Sequence, residues 1–552
     1  MSTDSSHKIF KLKILLFLRN LIITILLCLW LISCGTGGGS SDQDQDNATP
    51  EDFTALALSP SVVTLSWNGL SASSSIIYKV YRDNQLIGST SETQFIDAEL
   101  TPNSTHDYYI VAIEADQSVD GVSHAAKVTT LPLQTTSNRF FPDTRLGGST
   151  TFKIQPIESV NVDETVRISF GIPFPKGFLS NIDAFRILDE TGKEMQIFAK
   201  ALLPWRDLGS LTDLPSIRSV LVQMDVFFSS DSAGKLNPLN FSLEWGQSRS
   251  LPMLSETNVR KDWVLVDDHK YPASYLIYEP KAYAIFTPEW YGENVIKTRV
   301  LPLFSHQEFS AHDHAFILFG DTAINHVDPR VLDENLQPYL NSYANWLFDR
   351  ASTLYQLAFR SGEFRFLREA HRAAQFYASH INDEGYFSLK PSNDLKYSYG
   401  ESILTNYLLI GDEQYMPKVQ NMISAWDSFE TFYTLQSTFW TERHAATQLM
   451  GYVTAYELFG DPAIGQKAKN VFSDLRRMQL FPDEGMPLTG GLMHLSLAHG
   501  EGGNNFITSP WMSTLLLDAV ERYYIHSSDS EVAAFVIIMA NFLKQMDVAL
   551  WE

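Results

Sequence analysis

The sequence predicts a multidomain chain in which two β-rich domains precede a domain of helical hairpins. Residues 53–133 hold short, alternating apolar runs separated by turn residues. Residues 140–305 are also β-rich, contain more aromatic residues and show no helical periodicity. From residue 338 to 552 the periodicity becomes helical and a turn motif repeats at a fixed spacing. These patterns predict strands in the first two domains and helices in the third.

Residues 1–33 read as a processing signal. Lys8, Lys11, Lys13 and Arg19 form a positive segment, and residues 21–32 form an apolar run too short for a comfortable membrane span. The run ends in the sequence LISC, which resembles the lipobox of bacterial lipoproteins. The resemblance implies cleavage before Cys34 and a lipid on its sulfur, which would anchor the chain to a membrane. The alternative is an uncleaved N-terminal anchor helix.

The mature chain is expected outside the cytoplasm. Gly35 follows the cysteine, and the lipoprotein resemblance then implies sorting to the outer membrane, on its periplasmic or cell-surface side. Residues 34–52 are small, polar and acidic and should form a flexible tether. Since the only other cysteine is Cys28, no internal disulfide is expected after cleavage. The formal charge of −23 argues against nucleic acid as a partner.

Residues 53–133 predict a small β-sandwich. Trp67, the YKVYRDNQLIG hairpin and the LTP segment before YYIVA resemble a fibronectin type III domain. His106 stands where that family usually has a corner tyrosine, and we expect it to play a structural part because an imidazole can also donate a hydrogen bond. Such modules usually act as spacers, and glycan binding is the alternative for this one.

Residues 140–305 carry several spaced motifs, among them VRISFGIPFPKG, FRILD, PWRD and IRSVLVQ. Together they resemble the N-terminal RIFT-barrel domain of exo-acting rhamnogalacturonan lyases. The resemblance implies a β-barrel filled by side chains, so Trp205 and Arg206 are expected to be structural.

The helical domain contains a repeated turn in which an aromatic helix end meets glycine and then an acidic residue. Gly362, Gly411 and Gly460 are spaced 49 residues apart, and a degenerate fourth copy ends in Ser528-Asp529. Glycine after a helix and an acidic cap before the next helix predict hairpins. Stacked in a ring, such hairpins make an α/α toroid, and this region resembles the toroidal domains that accompany RIFT barrels in lyase-like bacterial proteins.

Ionisable and aromatic residues collect at the starts of the first helices of these hairpins, which a toroid brings to one rim. Each alone can be explained by capping or packing. Their coincidence in several segments predicts a site. The residues are Tyr343, Asp349, Arg350, Tyr397, Tyr399, Glu401, Trp440, Glu442, Arg443, His444 and Trp511, with His494, His499, Glu501 and Asn504 in a Gly-rich loop.

The chemistry that this set favours is β-elimination from a uronic-acid-containing polysaccharide, and the resemblance of residues 140–305 to rhamnogalacturonan lyases implies a rhamnogalacturonan-like one. Arg443 or Asn504 would neutralise the substrate carboxylate, His444 or His499 would act as base and Tyr399 as acid. Glu442 completes the candidate catalytic set. The candidate substrate-binding residues are Tyr397, Trp440, Trp511, Asn504, Glu501 and Arg350.

Two other functions fit the same rim. A glycoside hydrolase needs two carboxyl groups, which Glu401, Glu442 and Glu501 could supply. A non-catalytic surface lipoprotein would only capture the glycan on its aromatic residues.

No cofactor is expected. A metal is the alternative, because His494, His499 and Glu501 have ligand-type spacing. His312 and His314 would lie on one face if their segment were a strand.

Overall fold

The computed structural model describes residues 50–549 except positions 51, 59, 71–75, 114–118, 132–144, 162–164, 231, 233, 269, 272–274, 299, 326–341 and 484. The signal segment, Cys34 and most of the tether lie outside the described residues, so the lipid anchor stays a prediction. Among the described helices, none combines the length and apolar character needed to cross a membrane.

The first domain is an antiparallel β-sandwich, as predicted. One sheet has the order β1-β2-β5, and the other has the order β4-β3-β6-β7 with β8 also paired to β6. Tyr78, Val80, Tyr108 and Ile110 alternate inward and enclose Trp67 with their neighbours. The strands are β1 Thr54–Ala57, β2 Val63–Ser66, β3 Ile77–Arg82, β4 Gln85–Thr90, β5 Gln94–Asp97, β6 Thr105–Ile113, β7 Val119–Val122 and β8 Ala126–Thr129.

His106 makes local hydrogen bonds within this sandwich. Its Nδ1 lies 2.7 Å from Asp83 Oδ2 and its Nε2 lies 2.8 Å from Ser104 Oγ. The imidazole thus joins the turn after β3 to the start of β6.

The second domain packs two antiparallel sheets around one apolar core. Their orders are β10-β13-β12 and β11-β14-β9-β17. Closure into a RIFT barrel stays a prediction. The strands are β9 Gly148–Pro156, β10 Thr165–Pro173, β11 Phe185–Asp189, β12 Ile197–Asp207, β13 Thr212–Phe227, β14 Leu239–Trp245, β15 Val264–Leu265, β16 Tyr278–Glu279 and β17 Ala282–Phe286.

Helices begin earlier than residue 338. The segment Pro288–Glu293 forms α1, and Ser310–Asn325 forms α2. His312 and His314 therefore lie on a helix, and the expectation of a strand there is wrong. His314 Nδ1 lies 2.7 Å from the Ser310 carbonyl oxygen, one turn earlier on the same helix.

Four helical hairpins follow, as the repeat predicts. The residues that end their first helices, Gly362, Gly411, Gly460 and Ser528, all adopt left-handed backbone conformations. The hairpins are α3 Arg350–Ser361 with α4 Phe364–Ser379, α5 Glu401–Ile410 with α6 Met416–Asp427, α7 Glu442–Phe459 with α8 Pro462–Leu480, and α9 Pro510–Ser527 with α10 Ser530–Ala549. A short β pair, β18 His494–Leu495 and β19 Phe506–Ile507, precedes α9.

The first helices of the hairpins pack side by side in chain order, α3 on α5, α5 on α7 and α7 on α9. The segment 294–297 runs between them. Lys297 Nζ bonds Glu401 Oε2 on α5 at 2.5 Å and also contacts Ser352 on α3, while Arg522 on α9 donates to the Val295 carbonyl at 3.0 Å. A segment that follows the β-rich domain thus fills the space between these helices. Closure of the hairpins into a toroid stays a prediction.

A buried charge cluster joins the second domain to the helices. Arg218 Nε donates to Glu457 Oε1 at 2.9 Å, Arg522 donates to the other carboxylate oxygen, and all three side chains are at most 1% exposed. Trp205 packs on Arg218 and donates to the Phe174 carbonyl. Arg206, next to it, donates to the Glu457 carbonyl.

The β-sandwich also packs on the third and fourth hairpins. Leu58 and Val62 form an apolar cluster with Leu480, Ala534 and Ile538. Beside it, the Ser61 hydroxyl donates to Glu531 Oε1 at 2.6 Å. The module therefore rests against the helices instead of standing apart as a spacer.

Candidate functional site

Three of the four helix starts meet around Arg443. The Arg443 Cζ lies 4.3 Å from the ring centroid of Trp511, at the start of α9, and 5.4 Å from that of Phe348, just before α3. The two rings meet edge to face at 6.2 Å. We call Phe348, Arg443 and Trp511 the aromatic cradle.

The aromatic cradle is open to solvent, and its guanidinium has no hydrogen-bond or ion-pair partner among the described residues. Phe348 is 57% exposed and Trp511 is 41% exposed, both high values for large apolar side chains. Within the described part of the chain, the Arg443 guanidinium makes no hydrogen bond or ion pair. Partial burial lowers the pKa of Arg443, but an arginine stays protonated at neutral pH. The cradle therefore presents a cation packed against two aromatic rings, an arrangement suited to a ring that carries an anion.

His444 follows Arg443 and lies against Asp394. Its Nδ1 is 2.6 Å from Thr441 Oγ1, and its Nε2 is 3.7 Å from Asp394 Oδ1. Burial lowers the pKa of His444, so the imidazole is neutral at neutral pH. Despite its own partial burial, the neighbouring His444 imidazole and Lys396 ammonium lower the pKa of Asp394 to about 2. At neutral pH this pair combines a neutral imidazole with an ionised carboxylate.

Tyr397 is only 3% exposed, but it carries the least engaged phenol of this site. Its ring stacks with Phe387 and meets Tyr343, while its hydroxyl has no hydrogen-bond partner among the described residues. Burial raises the pKa of Tyr397, and Asp394 raises it further while Arg443 lowers it. The phenol is therefore protonated at neutral pH and lies within electrostatic reach of Arg443.

Tyr399 lies near the cradle but is already engaged. Its hydroxyl donates to the Leu347 carbonyl, and its backbone N–H donates to the Tyr377 hydroxyl at 2.6 Å. Burial raises the pKa of Tyr399 well above its usual value. A phenol committed to a backbone carbonyl is poorly placed to protonate a leaving group, which corrects the predicted acid role.

Glu442 is a buried structural carboxylate. Its side chain is inaccessible, and its Oε1 accepts hydrogen bonds from Thr508 Oγ1 at 2.6 Å and from the Ser509 N–H at 2.8 Å. Burial raises the pKa of Glu442. With no access to substrate, it cannot serve as the catalytic carboxylate that the sequence suggested.

A second ionic cluster lies beneath the rim. Asp349 caps α3 by accepting from the Ser352 N–H at 3.1 Å, with a left-handed backbone φ of 45°. Burial raises the pKa of Asp349 to about 7, Lys297 opposes this rise and Glu401 adds to it. Glu401 is itself paired to Lys297, so its carboxylate is not free for hydrolysis either.

Two predicted substrate-binding residues are structural. Trp440 is 1% exposed and donates from Nε1 to the Thr431 carbonyl at 2.8 Å, so its faces are not open to a sugar. Arg350 is 5% exposed and donates to the Ala323 carbonyl at 2.8 Å.

His499 has different neighbours from His444. Its Nδ1 lies 3.0 Å from Glu501 Oε1, and its ring is 5.7 Å from that of His494. Glu501 and Asn504 are exposed in the Gly-rich loop. Among the described residues, no group of three or more His, Cys, Asp or Glu side chains has the arrangement of a metal site.

The structure adds three residues that sequence reasoning missed. Phe348 was overlooked because one phenylalanine before a helix carries no pattern. Asp394 lies in a loop outside the helix starts, and Lys297 comes from before the helical domain. The DLKYSYG segment does place an acidic residue three positions before Tyr397, the one signal that pointed to Asp394.

No family model matches this chain. An alpha-amylase from Niallia circulans is 32% identical over 84 residues, covering 15% of this chain and 6% of its own length. A chitinase, Chi52, from Paenibacillus xylanexedens is 30% identical over 100 residues, covering 17% and 19%. A poly(3-hydroxybutyrate) depolymerase from Ralstonia pickettii is 29% identical over 99 residues, covering 18% and 19%. The chain thus spans less than a fifth of each of these relatives.

Solved structures give similarly local likenesses. The FN3tt structure is 20% identical, with a TM-score of 0.13, and the match covers 15% of this chain and 91% of that one. A family 28 exopolygalacturonase from Yersinia enterocolitica is 16% identical, with a TM-score of 0.15, and the match covers 15% and 20%.

Proposed function

We propose that this chain is a lipid-anchored carbohydrate-active enzyme that cleaves an acidic polysaccharide by β-elimination at the aromatic cradle. The observation that carries the proposal is the partly buried guanidinium of Arg443, which packs against two exposed aromatic rings and makes no hydrogen bond or ion pair among the described residues. Because the whole chain is strongly acidic, a guanidinium in this position is available to an anionic ligand. Binding a sugar carboxylate supplies one.

Arg443 has the first role in the reaction. A guanidinium can grip a carboxylate through two parallel hydrogen bonds. Neutralising the uronate carboxylate in this way makes the neighbouring C5–H more acidic and stabilises the charge that develops when the proton leaves.

His444 is the base. With Nδ1–H donated to Thr441 Oγ1, the Nε2 lone pair is available to take the C5 proton. Asp394, which remains ionised, then stabilises the imidazolium that forms. The lowered pKa of His444 keeps the imidazole in the neutral form that a base requires.

Tyr397 takes over the acid role first given to Tyr399, because its hydroxyl has no competing partner among the described residues. The C5–H electron pair becomes the new C4=C5 double bond, the C4–O bond breaks, and the phenol protonates the departing oxygen. Lys396 lies 3.1 Å from Asp394 and adds positive charge beside this phenol.

The comparisons support the proposal at a coarser level than the chemistry. The local relatives named as an alpha-amylase and a chitinase favour a carbohydrate-active role. The preference for rhamnogalacturonan-like glycans comes from the barrel resemblance alone. Outer-membrane anchoring comes from the lipobox at Cys34.

Glycoside hydrolysis is the second candidate, carried by a different carboxyl pair from the predicted one. Asp349, with its pKa raised to about 7, and Asp394, with its pKa lowered to about 2, both act electrostatically on Tyr399. Two carboxyl groups whose pKa values are pushed apart are the usual signature of an acid and a base.

One assay separates the candidates. The purified mature chain is incubated with a panel of acidic polysaccharides while ultraviolet absorbance records unsaturated uronate. A lyase gives this signal, and His444→Ala and Tyr397→Phe abolish most of it, whereas Tyr386→Phe, whose hydroxyl bonds Ser428, leaves it unchanged. New reducing ends without the absorbance would identify a hydrolase, and binding without products would identify a capture protein.

A further inference from the structure

The two walls of the cradle are each tied to a polar side chain, buried in the case of Glu442 and partly buried in the case of Tyr399. On one side, the Glu442 carboxylate accepts from the Thr508 hydroxyl and from the Ser509 N–H. Ser509 is the N-cap of α9, and its own side chain makes no capping bond. Trp511 is the second residue of this helix, so the bonds to Glu442 fix the backbone that carries it.

On the other side, the Tyr399 hydroxyl donates to the carbonyl of Leu347, the residue directly before Phe348. Asp349 follows Phe348 in a left-handed conformation and caps α3. The peptide that carries Phe348 is therefore bonded on both sides, to α3 through Asp349 and to the segment before α5 through Tyr399.

The two side chains that hold the walls of the cradle, Glu442 and Tyr399, belong to the segments that meet at Arg443. Glu442 is its immediate neighbour on α7, and Tyr399 acts on it electrostatically. Neither anchoring group reaches solvent in a way that would let it touch a substrate: Glu442 is inaccessible, and the Tyr399 hydroxyl is used by a backbone carbonyl.

We infer that Glu442 and Tyr399 are positioning residues that hold Trp511 and Phe348 against Arg443, so that the cradle is formed before a carboxylate-bearing sugar arrives. The conformational entropy of both rings is then lost during folding, so that ordering them does not reduce the affinity for the ligand. A pre-set guanidinium and two fixed rings select a ligand with a flat apolar face and an anionic substituent. This role deepens the proposed function, on which the identity of the ligand rests.

The first test measures the anchors without any ligand. Hydrogen exchange of the backbone amides at 506–512 and 343–349 is followed in the full chain. Glu442→Ala, or Thr508→Val, should raise exchange at 506–512, while Tyr399→Phe should raise it at 343–349. Tyr386→Phe should change neither. Unchanged exchange in the three site variants, each shown to be folded by its thermal transition, would overturn the inference even if the chain cleaves a glycan.

The second test uses the conservative variant. Glu442→Gln keeps an oxygen that can accept from Thr508 and Ser509 but removes the ionisable carboxyl. The substrate is the one identified with the polysaccharide panel. On it, Glu442→Ala should raise KM about tenfold with little change in kcat. Glu442→Gln should have a KM close to the wild-type value. Loss of kcat in both variants would make Glu442 catalytic and contradict the positioning role. If no polysaccharide is cleaved, the proposed function fails, and the exchange experiment still decides the inference.

Discussion

Arg443, His444 and Glu442 are consecutive, yet the structure gives them three different environments. Arg443 faces the aromatic rings, His444 faces Asp394, and Glu442 is buried against the start of α9. Successive helical residues differ by about 100° in direction, which places the members of one charged run in three different environments. The sequence could identify the run as important but not assign its members.

The same limit explains the corrections at Trp440 and Tyr399. A sequence shows that an aromatic residue lies near a helix start, but only packing decides whether its polar tip finds a backbone carbonyl. Trp440 bonds Thr431 and Tyr399 bonds Leu347, nine and 52 positions away in the chain. Such pairings depend on tertiary contacts that no local pattern encodes.

The pH dependence of catalysis belongs to the scale of single residues. Asp394 raises the pKa of His444, while burial, Lys396 and Arg443 lower it. Because the proposed base is the neutral imidazole, activity should fall only as the pH drops through the lowered His444 pKa. Asp394→Asn should move this acidic limb to still lower pH and reduce kcat about tenfold or more, because the imidazolium loses its counter-ion. The pH–rate profile checks both effects.

Asp427→Asn, which removes a surface partner of Lys467, is the control and should leave the profile unchanged. An acidic limb that moved to higher pH in Asp394→Asn would contradict the assignment of His444 as the base.

At the scale of elements, the hairpin repeat is the part of the fold that the sequence predicts best. Glycine at the left-handed end of each first helix and an acidic cap before the next are local requirements, so they appear in the sequence. The fourth copy shows the same conformation at Ser528, with a φ of 52°. The helices at 288–325 lack this motif and were not foreseen.

The cap of α3 makes stability depend on pH. The pKa of Asp349 is raised to about 7 in the folded chain, whereas an unfolded aspartate titrates near 3.8. A folded state that holds the proton more tightly is most stable at low pH, and this contribution is lost as the pH rises from about 4 to 7. The slope is at most about 1.4 kcal/mol per pH unit.

Asp349→Asn should remove this slope while retaining the cap, because asparagine is an equally good N-cap. Asp349→Ala should also remove the slope but lose about 1 kcal/mol with the cap and up to about 1–2 kcal/mol more for alanine at the left-handed φ of 45°. Denaturant unfolding between pH 4 and 8 measures both. A slope that persists in Asp349→Asn would assign the pH dependence to other groups.

Gly460 tests the packing of the third hairpin on the β-rich domain. Its φ is 69°, and a Cβ there would lie 2.6 Å from the Arg206 Nε. Gly460→Ala should therefore cost more than the roughly 1–2 kcal/mol of a left-handed alanine alone. Gly192, with a φ of 81° and open space around it, is the matched control and should show only the backbone cost. Equal losses of unfolding free energy in the Gly460 and Gly192 variants would contradict the close approach of Gly460 to Arg206.

At the scale of the whole molecule, the domains are joined by polar groups buried in their interfaces. Glu457 is shared by Arg218 from β13 and Arg522 from α9, and the electrostatic pull of these cations holds the pKa of Glu457 well below its usual range. Sequence periodicity predicts the strands and helices that form this domain interface. It does not predict the buried ion pairs within the interface, because Arg218 and Glu457 are 239 positions apart.

Glu457→Gln should destabilise the chain strongly, because it leaves two buried arginines without a counter-ion, a change that typically costs about 3–5 kcal/mol. Glu256→Gln breaks an exposed pair with Lys200 and should cost less than about 1 kcal/mol. Denaturant unfolding gives both values. Similar losses in the two variants would show that the buried cluster does not hold the domains together.

The central claim is that Arg443 in the aromatic cradle recognises the carboxylate of an acidic sugar, and calorimetric titration tests it most directly. The mature chain and its Arg443→Met variant are each titrated with an acidic polysaccharide and with the same polymer after its carboxyl groups are reduced to alcohols. The wild type should bind the acidic polymer about ten- to a hundredfold more tightly than the reduced one, as expected for a charge-assisted hydrogen bond. The variant should lose this preference. Equal binding of both polymers by the wild type, or a preference that survives in Arg443→Met, would contradict the account.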